Sequence, residues 1–233
     1  MSGVTYCPDR VMCTQSTIKA LYIGALLDND PSLFQKHKDT IKKAIELSDN
    51  EAYESLRNTY GRAPLEKWCK ECGVDKDFAD LLYPKRTVRE MCLMWTKMYD
   101  YLTNDAPDEL KGYFTNSLFS AAKEQLGSRC YVQSKAGWEN GVDVAYYSED
   151  ITYPADYIDK DPYNDECAIN DTGFVTTDKG TYIFAVFTDY PYAEYTDYTP
   201  PNPLLGLTEA IYNFHLSMTT PVLPEEAAVS VNK

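Results

Sequence analysis

Residues 16–27, STIKALYIGALL, are the part of this sequence that most limits how the chain can fold. The run is apolar on nearly every side of a helix, and such a helix has to be enclosed by other elements. At twelve residues it falls short of the ~20 that span a bilayer, and no other apolar run in the sequence reaches that length. It therefore predicts the central helix of a layered core, which a chain of 233 residues is large enough to build without staples. One residue breaks the apolar pattern: Lys19, three positions after Ser16.

Around this helix the first half of the chain reads as almost entirely α. Asp30-Pro31 opens a second helix, with Asp30 as N-cap, that carries Phe34, Ile41, Ala44 and Ile45 at helical spacing. Helices are expected over about 51–60, closed by Gly61, then over 64–72, 76–82, 88–102 and 107–126. Thr87 followed by Glu90 reads as a capping box for the helix over 88–102. The pattern then changes: 129–138, 172–178 and 181–189 read as strands, the last two joined by a Lys179-Gly180 hairpin turn. Residues 204–218 return to helix. These elements predict one α+β domain. An all-α subdomain covers about 20–125, a sheet subdomain takes about 1–19 plus 126–218, and 219–233 is a tail.

Composition narrows the function classes. The net charge of −14 opposes binding to nucleic acid, which is held by Lys and Arg on phosphates, and to anionic lipid. The first ten residues show no basic stretch followed by an apolar one, so no signal peptide is expected in this chain. The seven Cys lack a framework spacing and read as mostly reduced thiols. Cys69 and Cys72 make a CxxC without a second pair at zinc-finger distance, so no metal site is expected. Residues 139–198 hold 14 acids against two bases and half of the 20 Tyr, which makes 139–168 a candidate acidic cover or a surface excursion.

The only histidines, His37 and His215, have no suggestive Ser or Cys beside them, so a working serine needs another base. Ser16 and Lys19 supply one. Residues three apart share a helix face, and a lysine in a buried helix is desolvated toward its neutral, proton-accepting form. That is what a Ser–Lys nucleophile pair requires. Read blandly, Ser16 is a helix cap and Lys19 a snorkelling side chain. Ser48-Asp49-Asn50 comes next, at the head of another helix, where Ser48 with Glu51 would by itself make a capping box. Lys135-Ala136-Gly137 lies on a strand and is followed by Trp138. A strand glycine often marks a close backbone approach.

Taken in order, SxxK, SDN and KxG resemble the three signature motifs of serine β-lactamases and penicillin-binding proteins. The nearest likeness is to class A β-lactamase-like serine hydrolases. It rests on Ser48 to Ala52 with Leu56, Tyr60 and Gly61, on Lys135 to Trp138, on Asp171-Thr172-Gly173, and on the apolar strand from Tyr182 to Thr188, and it covers roughly residues 14–215. The resemblance implies a three-layer α/β/α fold with the cleft between the subdomains. It implies no cofactor, and a β-lactam, a cell-wall-like peptide or another small molecule as substrate. It also implies roles. Ser16 attacks an amide or lactam carbonyl, Lys19 takes its proton, Ser48 relays a proton to the leaving nitrogen, and Asn50 orients a substrate amide. Lys135 supplies positive charge, and the N–H groups of Ser16 and Trp138 form an oxyanion hole.

Three departures qualify it. Ala136 stands where the family carries a hydroxyl that helps hold the substrate carboxylate, and Ser134, next to Lys135, points to the opposite strand face. No Glu-x-x-Leu-Asn loop is found, and Glu66 and Glu71 are in the wrong setting, so deacylation is expected to be slow. The acyl-enzyme chemistry then has two rivals, a catalytically impaired binding relative and an esterase for small esters. Only 15 residues precede Ser16, where the family has a helix and two strands. Those strands are expected to be missing, which leaves 181–189 as an exposed edge on which two copies could pair.

Overall fold

The computed structural model describes residues 3–139, 168–189 and 203–219. The proposed cover over 139–168 and the tail over 219–233 therefore lie almost wholly outside the described residues. Strand β1 (Val11–Cys13) leads through a 3₁₀ turn (Gln15–Thr17) into α1 (Ile18–Asn29). There follow α2 (Leu33–Lys36), α3 (Lys38–Glu46), α4 (Asn50–Tyr60), α5 (Ala63–Cys72), a 3₁₀ turn (Lys76–Ala79), β2 (Lys85–Thr87), α6 (Val88–Asn104), α7 (Asp108–Thr115) and α8 (Ala121–Leu126). Three strands, β3 (Tyr131–Glu139), β4 (Ala168–Thr177) and β5 (Gly180–Val186), and α9 (Pro203–Thr219) complete the described fold.

The all-round apolar helix is enclosed as its sequence requires. Every residue of α1 from Ile18 to Leu27 is buried, Lys19 included. It sits in one cluster with Ile41 and Ile45 of α3, Tyr53 and Leu56 of α4, Trp68 of α5, and Met91, Met94, Trp95 and Met98 of α6. Each such side chain contributes ~1.5–3 kcal/mol of burial against the entropy of ordering it. Helix α6 begins where the capping box places it. The Thr87 hydroxyl accepts from Glu90 N–H, and the Glu90 carboxylate accepts from Thr87 N–H at 2.9 Å.

Strands β3, β4 and β5 form one antiparallel sheet in that order, with β3 at one edge and β5 at the other among the described strands. One face, with Phe174, Ile183 and Ala185, packs on the helical cluster; the other, with Val132, Val175 and Phe184, is covered by α8 and α9. The result is the expected α/β/α layering. The short strand β1 pairs antiparallel with β2, outside this sheet.

Several local expectations are corrected. The helix opened by Asp30 is two helices, because the chain turns at His37 (φ −121°, ψ 21°), and Asp30 instead accepts from Ser32 N–H and O–H in a local turn. Helix 107–126 breaks after Thr115, with Phe119 in the left-handed region at φ 57°. Within residues 76–82 only the 3₁₀ turn forms. The hairpin loop is Asp178-Lys179, one residue earlier than read, since Thr177 pairs with Gly180. The pairing of β1 with β2 had no periodic signal, three residues being too few to show alternation.

Candidate active site

Ser16 sits on the 3₁₀ turn at the head of α1, half-buried, and its hydroxyl bonds to no described residue. Three constraints hold that turn. Thr14 N–H donates to the Pro84 carbonyl at 3.0 Å, and Asn170 on β4 donates from its side chain to the Cys13 carbonyl at 2.8 Å. The third is Gly137: a Cβ there would lie 2.7 Å from Ser16 N and 2.8 Å from Gln15 Cβ. Only a glycine lets β3 approach the nucleophile turn this closely, which is the role a strand glycine suggests. Gln15, just before the serine, holds the uncommon φ of 48°.

The facing edge of β3 can be read from its own contacts. The Gln133 carbonyl lies against Gly173 of β4, and the Lys135 carbonyl accepts from the Thr172 hydroxyl at 3.4 Å. Odd-numbered carbonyls therefore point into the sheet. Backbone groups alternate along a strand, so those of Ala136 and Trp138 point to the outer edge. In accord with this, the Ala136 carbonyl accepts from Lys135 Nζ at 2.7 Å. The Trp138 N–H thus lies on this outer edge, one residue beyond the glycine that packs on the Ser16 turn.

Lys19 is fully buried, and burial lowers its amine to about 7 despite the opposing pull of Asp49 and Glu54. Nζ donates to the Ser48 carbonyl at 2.6 Å and to Asn50 Oδ1 at 2.5 Å, between the rings of Tyr53 and Tyr83 at 5.8 and 5.7 Å. A neutral amine has two hydrogens and one lone pair. Both hydrogens have acceptors in Ser48 and Asn50, so the lone pair is not used by them, and no hydrogen bond joins Nζ to the Ser16 hydroxyl.

Ser48 is not the cap of α4. Asp49 is: its side chain accepts from Ala52 N–H at 2.8 Å, and no Ser48–Glu51 capping box forms. Ser48 instead holds φ 59°, a strained conformation for a residue with a side chain. The bend points its carbonyl at Lys19 and its hydroxyl at Lys135. Lys135 Nζ donates to Ser48 Oγ at 2.8 Å, and burial, then Lys19, hold this amine well below its ordinary value. As an acceptor from Lys135, Ser48 keeps its own O–H to donate elsewhere. Asn50 Oδ1 also accepts from Tyr83 O–H at 3.0 Å, leaving the Nδ2 hydrogens for a ligand.

The structure thus brings Ser16, Lys19, Ser48, Asn50, Lys135, Gly137 and Trp138 together between the helical cluster and the sheet edge. Ala136 is fully buried and presents only a methyl. Ser134 is turned away, its hydroxyl donating to Ser120 Oγ at 2.7 Å on the opposite face. Ser120 in turn donates to Asp171, a buried carboxyl that desolvation raises to about 6. His37 bonds to Tyr60 at 2.5 Å and His215 to Thr177 at 3.2 Å. Glu66 pairs with Arg62 and Glu71 with Lys97, each at 2.9 Å. Cys69 is buried in the core, where its thiol is pushed up to about 12, and no group of three or more metal-binding side chains occurs among the described residues. The residues the sequence reading missed are Tyr53 and Tyr83 around the amine and Asn170 behind the turn. Tyr53 stands three positions after Asn50, so helical spacing could have found it; Tyr83 and Asn170 come from distant segments that only folding brings near.

Comparison with solved structures gives the same architecture. PBP-A matches over 91% of this chain and 83% of its own, with 16% identity and a TM-score of 0.60. A β-lactamase from Sphaerobacter thermophilus matches over 94% and 87%, with 15% identity and a TM-score of 0.58. An ancestral class A β-lactamase matches over 93% and 89%, with 14% identity and a TM-score of 0.57. At these identities the likeness establishes a shared fold. No curated protein sequence matches the chain. A model of the β-lactamase enzyme family matches residues 9–214, nearly the whole described fold, and so the chain belongs to that family as a β-lactamase-like serine hydrolase.

Proposed function

We propose that the protein forms an acyl-enzyme on Ser16 from an amide, lactam or ester carbonyl, and releases it slowly. Ser16 Oγ attacks the carbonyl carbon and passes its proton to Lys19 Nζ. The tetrahedral oxyanion rests between the N–H groups of Ser16 and Trp138, each such donor being worth ~3–4 kcal/mol in a dry site. The bond from carbon to the leaving atom then breaks, and that atom takes the proton of the Ser48 hydroxyl, which Lys19 restores along the Ser48 side of the cleft. Asn50 Nδ2 holds the acyl-side amide. The observation that carries this reading is the buried Lys19 amine, lowered to about 7, with both its hydrogens engaged.

Slow release is expected because none of the acids weighed for deacylation is free, while Glu54, which acts on the Lys19 amine together with Asp49, lies outside any Glu-x-x-Leu-Asn loop. Glu66 and Glu71 of α5 are committed to ion pairs with Arg62 and with Lys97 of α6, and Asp49 caps α4. A solved mutant of PBP-A is an acyl-enzyme complex with penicillin G, which makes a penicillin a suitable probe here. Intact-mass analysis after separate incubation with a fluorescent penicillin and with a chromogenic ester should show a long-lived adduct with at least one of them, absent from Ser16→Ala. An adduct that survives that substitution would remove Ser16 from the mechanism. A fold kept for binding predicts no adduct with either reagent. The division into subdomains at about 20–125, and pairing of two copies through β5, remain part of this proposal; the second is read by sedimentation at high concentration.

A further inference from the structure

Contacts trace a closed rim around the cleft. Gly137 lies on Ser16, and Trp138 is the next residue along β3. The Phe119 ring meets the Trp138 ring edge-on, with centroids 4.7 Å apart. Leu118 N–H donates to the Glu46 carbonyl at 3.0 Å, which brings the 116–119 turn against Leu47 and Ser48. From there the Lys19 amine, bonded to the Ser48 carbonyl, leads back to the head of α1, where Ser16 stands three residues earlier. Along the arc from Trp138 to Leu47 the side chains are apolar and partly open to solvent: Phe119 is 37% exposed, Leu118 42% and Leu47 57%. Phe119 is held at the rim by its left-handed backbone, a conformation retained only where surrounding contacts impose it.

This arc lies on the Ser48–Lys135 side, where the leaving group departs, and it offers an anion little. The Lys135 amine is fully buried, donates to Ser48 Oγ and Ala136 O, and lies 5.4 Å from the Trp138 ring. Ala136 brings a methyl in place of a hydroxyl. None of the rim residues named is an exposed cation, and the chain carries a net charge of −14, which disfavours an approaching anion. An unpaired carboxylate buried here would lose its hydration without compensation.

We infer that the leaving-group side of the substrate is uncharged and apolar, an ester or amide without a carboxylate there, seated against Phe119, Trp138 and Leu118. This rests on Ser16 being the nucleophile. The test compares 4-nitrophenyl butyrate with its analogue bearing a carboxylate on the nitrophenyl ring, by kcat/KM and by intact-mass detection of the butyryl adduct. The neutral ester should be preferred by about ten-fold or more. Phe119→Ala, and separately Leu118→Ala, should cut kcat/KM for the neutral ester by roughly ten-fold and narrow the preference. Thermal melts of both variants check folding. Equal use of the two esters, preference for the anion, or equal losses on both esters in both variants would overturn the inference while leaving Ser16 in place. Turnover that persists in Ser16→Ala, or an adduct with neither ester, would overturn the nucleophile assignment and this inference with it.

Discussion

Replacing Lys19 by methionine should abolish acylation and, near neutral pH, make the protein more stable. The folded amine sits at about 7 against an ordinary 10.5, because burial removes it from water. A gap of that size corresponds to about 4–5 kcal/mol of stability surrendered at pH 7 to keep a lysine there. Methionine has similar length and no charge to desolvate. It leaves the Ser48 carbonyl without its hydrogen, at a cost of about 1–3 kcal/mol, while the exposed Asn50 can turn to water. The net gain at pH 7 is then about 2 kcal/mol, or about 4–8 °C in Tm for a chain of this size.

The sign of the pH dependence makes the test specific. Between pH 7 and 10 the unfolded chain carries the proton on residue 19 and the folded chain does not. Stability of the unmodified protein therefore rises with pH across that window by about 1.4 kcal/mol per unit, and flattens below pH 7, where both states carry the proton. Lys19→Met lacks this dependence, so its advantage should shrink by about 2.3 kcal/mol from pH 7, where the folded amine is half protonated, to pH 9. Urea denaturation of both proteins at pH 7, 8 and 9 measures the difference; groups that do not sense Lys19 cancel in it, and Lys135, which Lys19 also holds down, changes in the same direction. A difference that stays constant with pH would show that the amine is not held neutral by the fold, and the reasoning that makes Lys19 the base would fail with it.

The acylation rate on a neutral ester should rise with pH through a single step near about 7, as Lys19 loses its proton, and a flat profile from pH 5 to 9 would contradict that assignment. Gly137→Ala must push β3 off the Ser16 turn, since its Cβ would meet Ser16 N at 2.7 Å; kcat/KM should fall about 10²-fold with about 1–3 kcal/mol lost in stability, read by kinetics and urea melts. Thr87→Ala removes one half of the α6 capping box and should cost about 1 kcal/mol in the same melts with ester turnover intact.

Where the sequence was readable, local physics had few alternatives. An apolar run such as 18–27 can only be a buried helix, Thr87 and Glu90 can cap only a helix that begins at residue 88, and a glycine two positions after Lys135 on a strand announces a close approach. Motif order then tied Ser16, Ser48 and Lys135 to one cleft before any contact was known. The turn at His37 and the break at Phe119 were hidden, because a helical period continues across a bend of one or two residues. Ser48 is the sharpest case: its sequence setting fits a capping box, and Asp49 takes the cap instead.

What the sequence determined by itself is the set of elements and the chemical groups available, since both depend on spacing and side-chain type within a few residues. Only the tertiary structure decided what those groups are. The amines of Lys19 and Lys135 are lowered because packing strips them of water, and the Ser48 hydroxyl accepts from a lysine 87 residues away. The rim is apolar because Phe119 is folded onto Trp138. Desolvation and long-range contact belong to the assembled fold, so no local reading of the chain contains them.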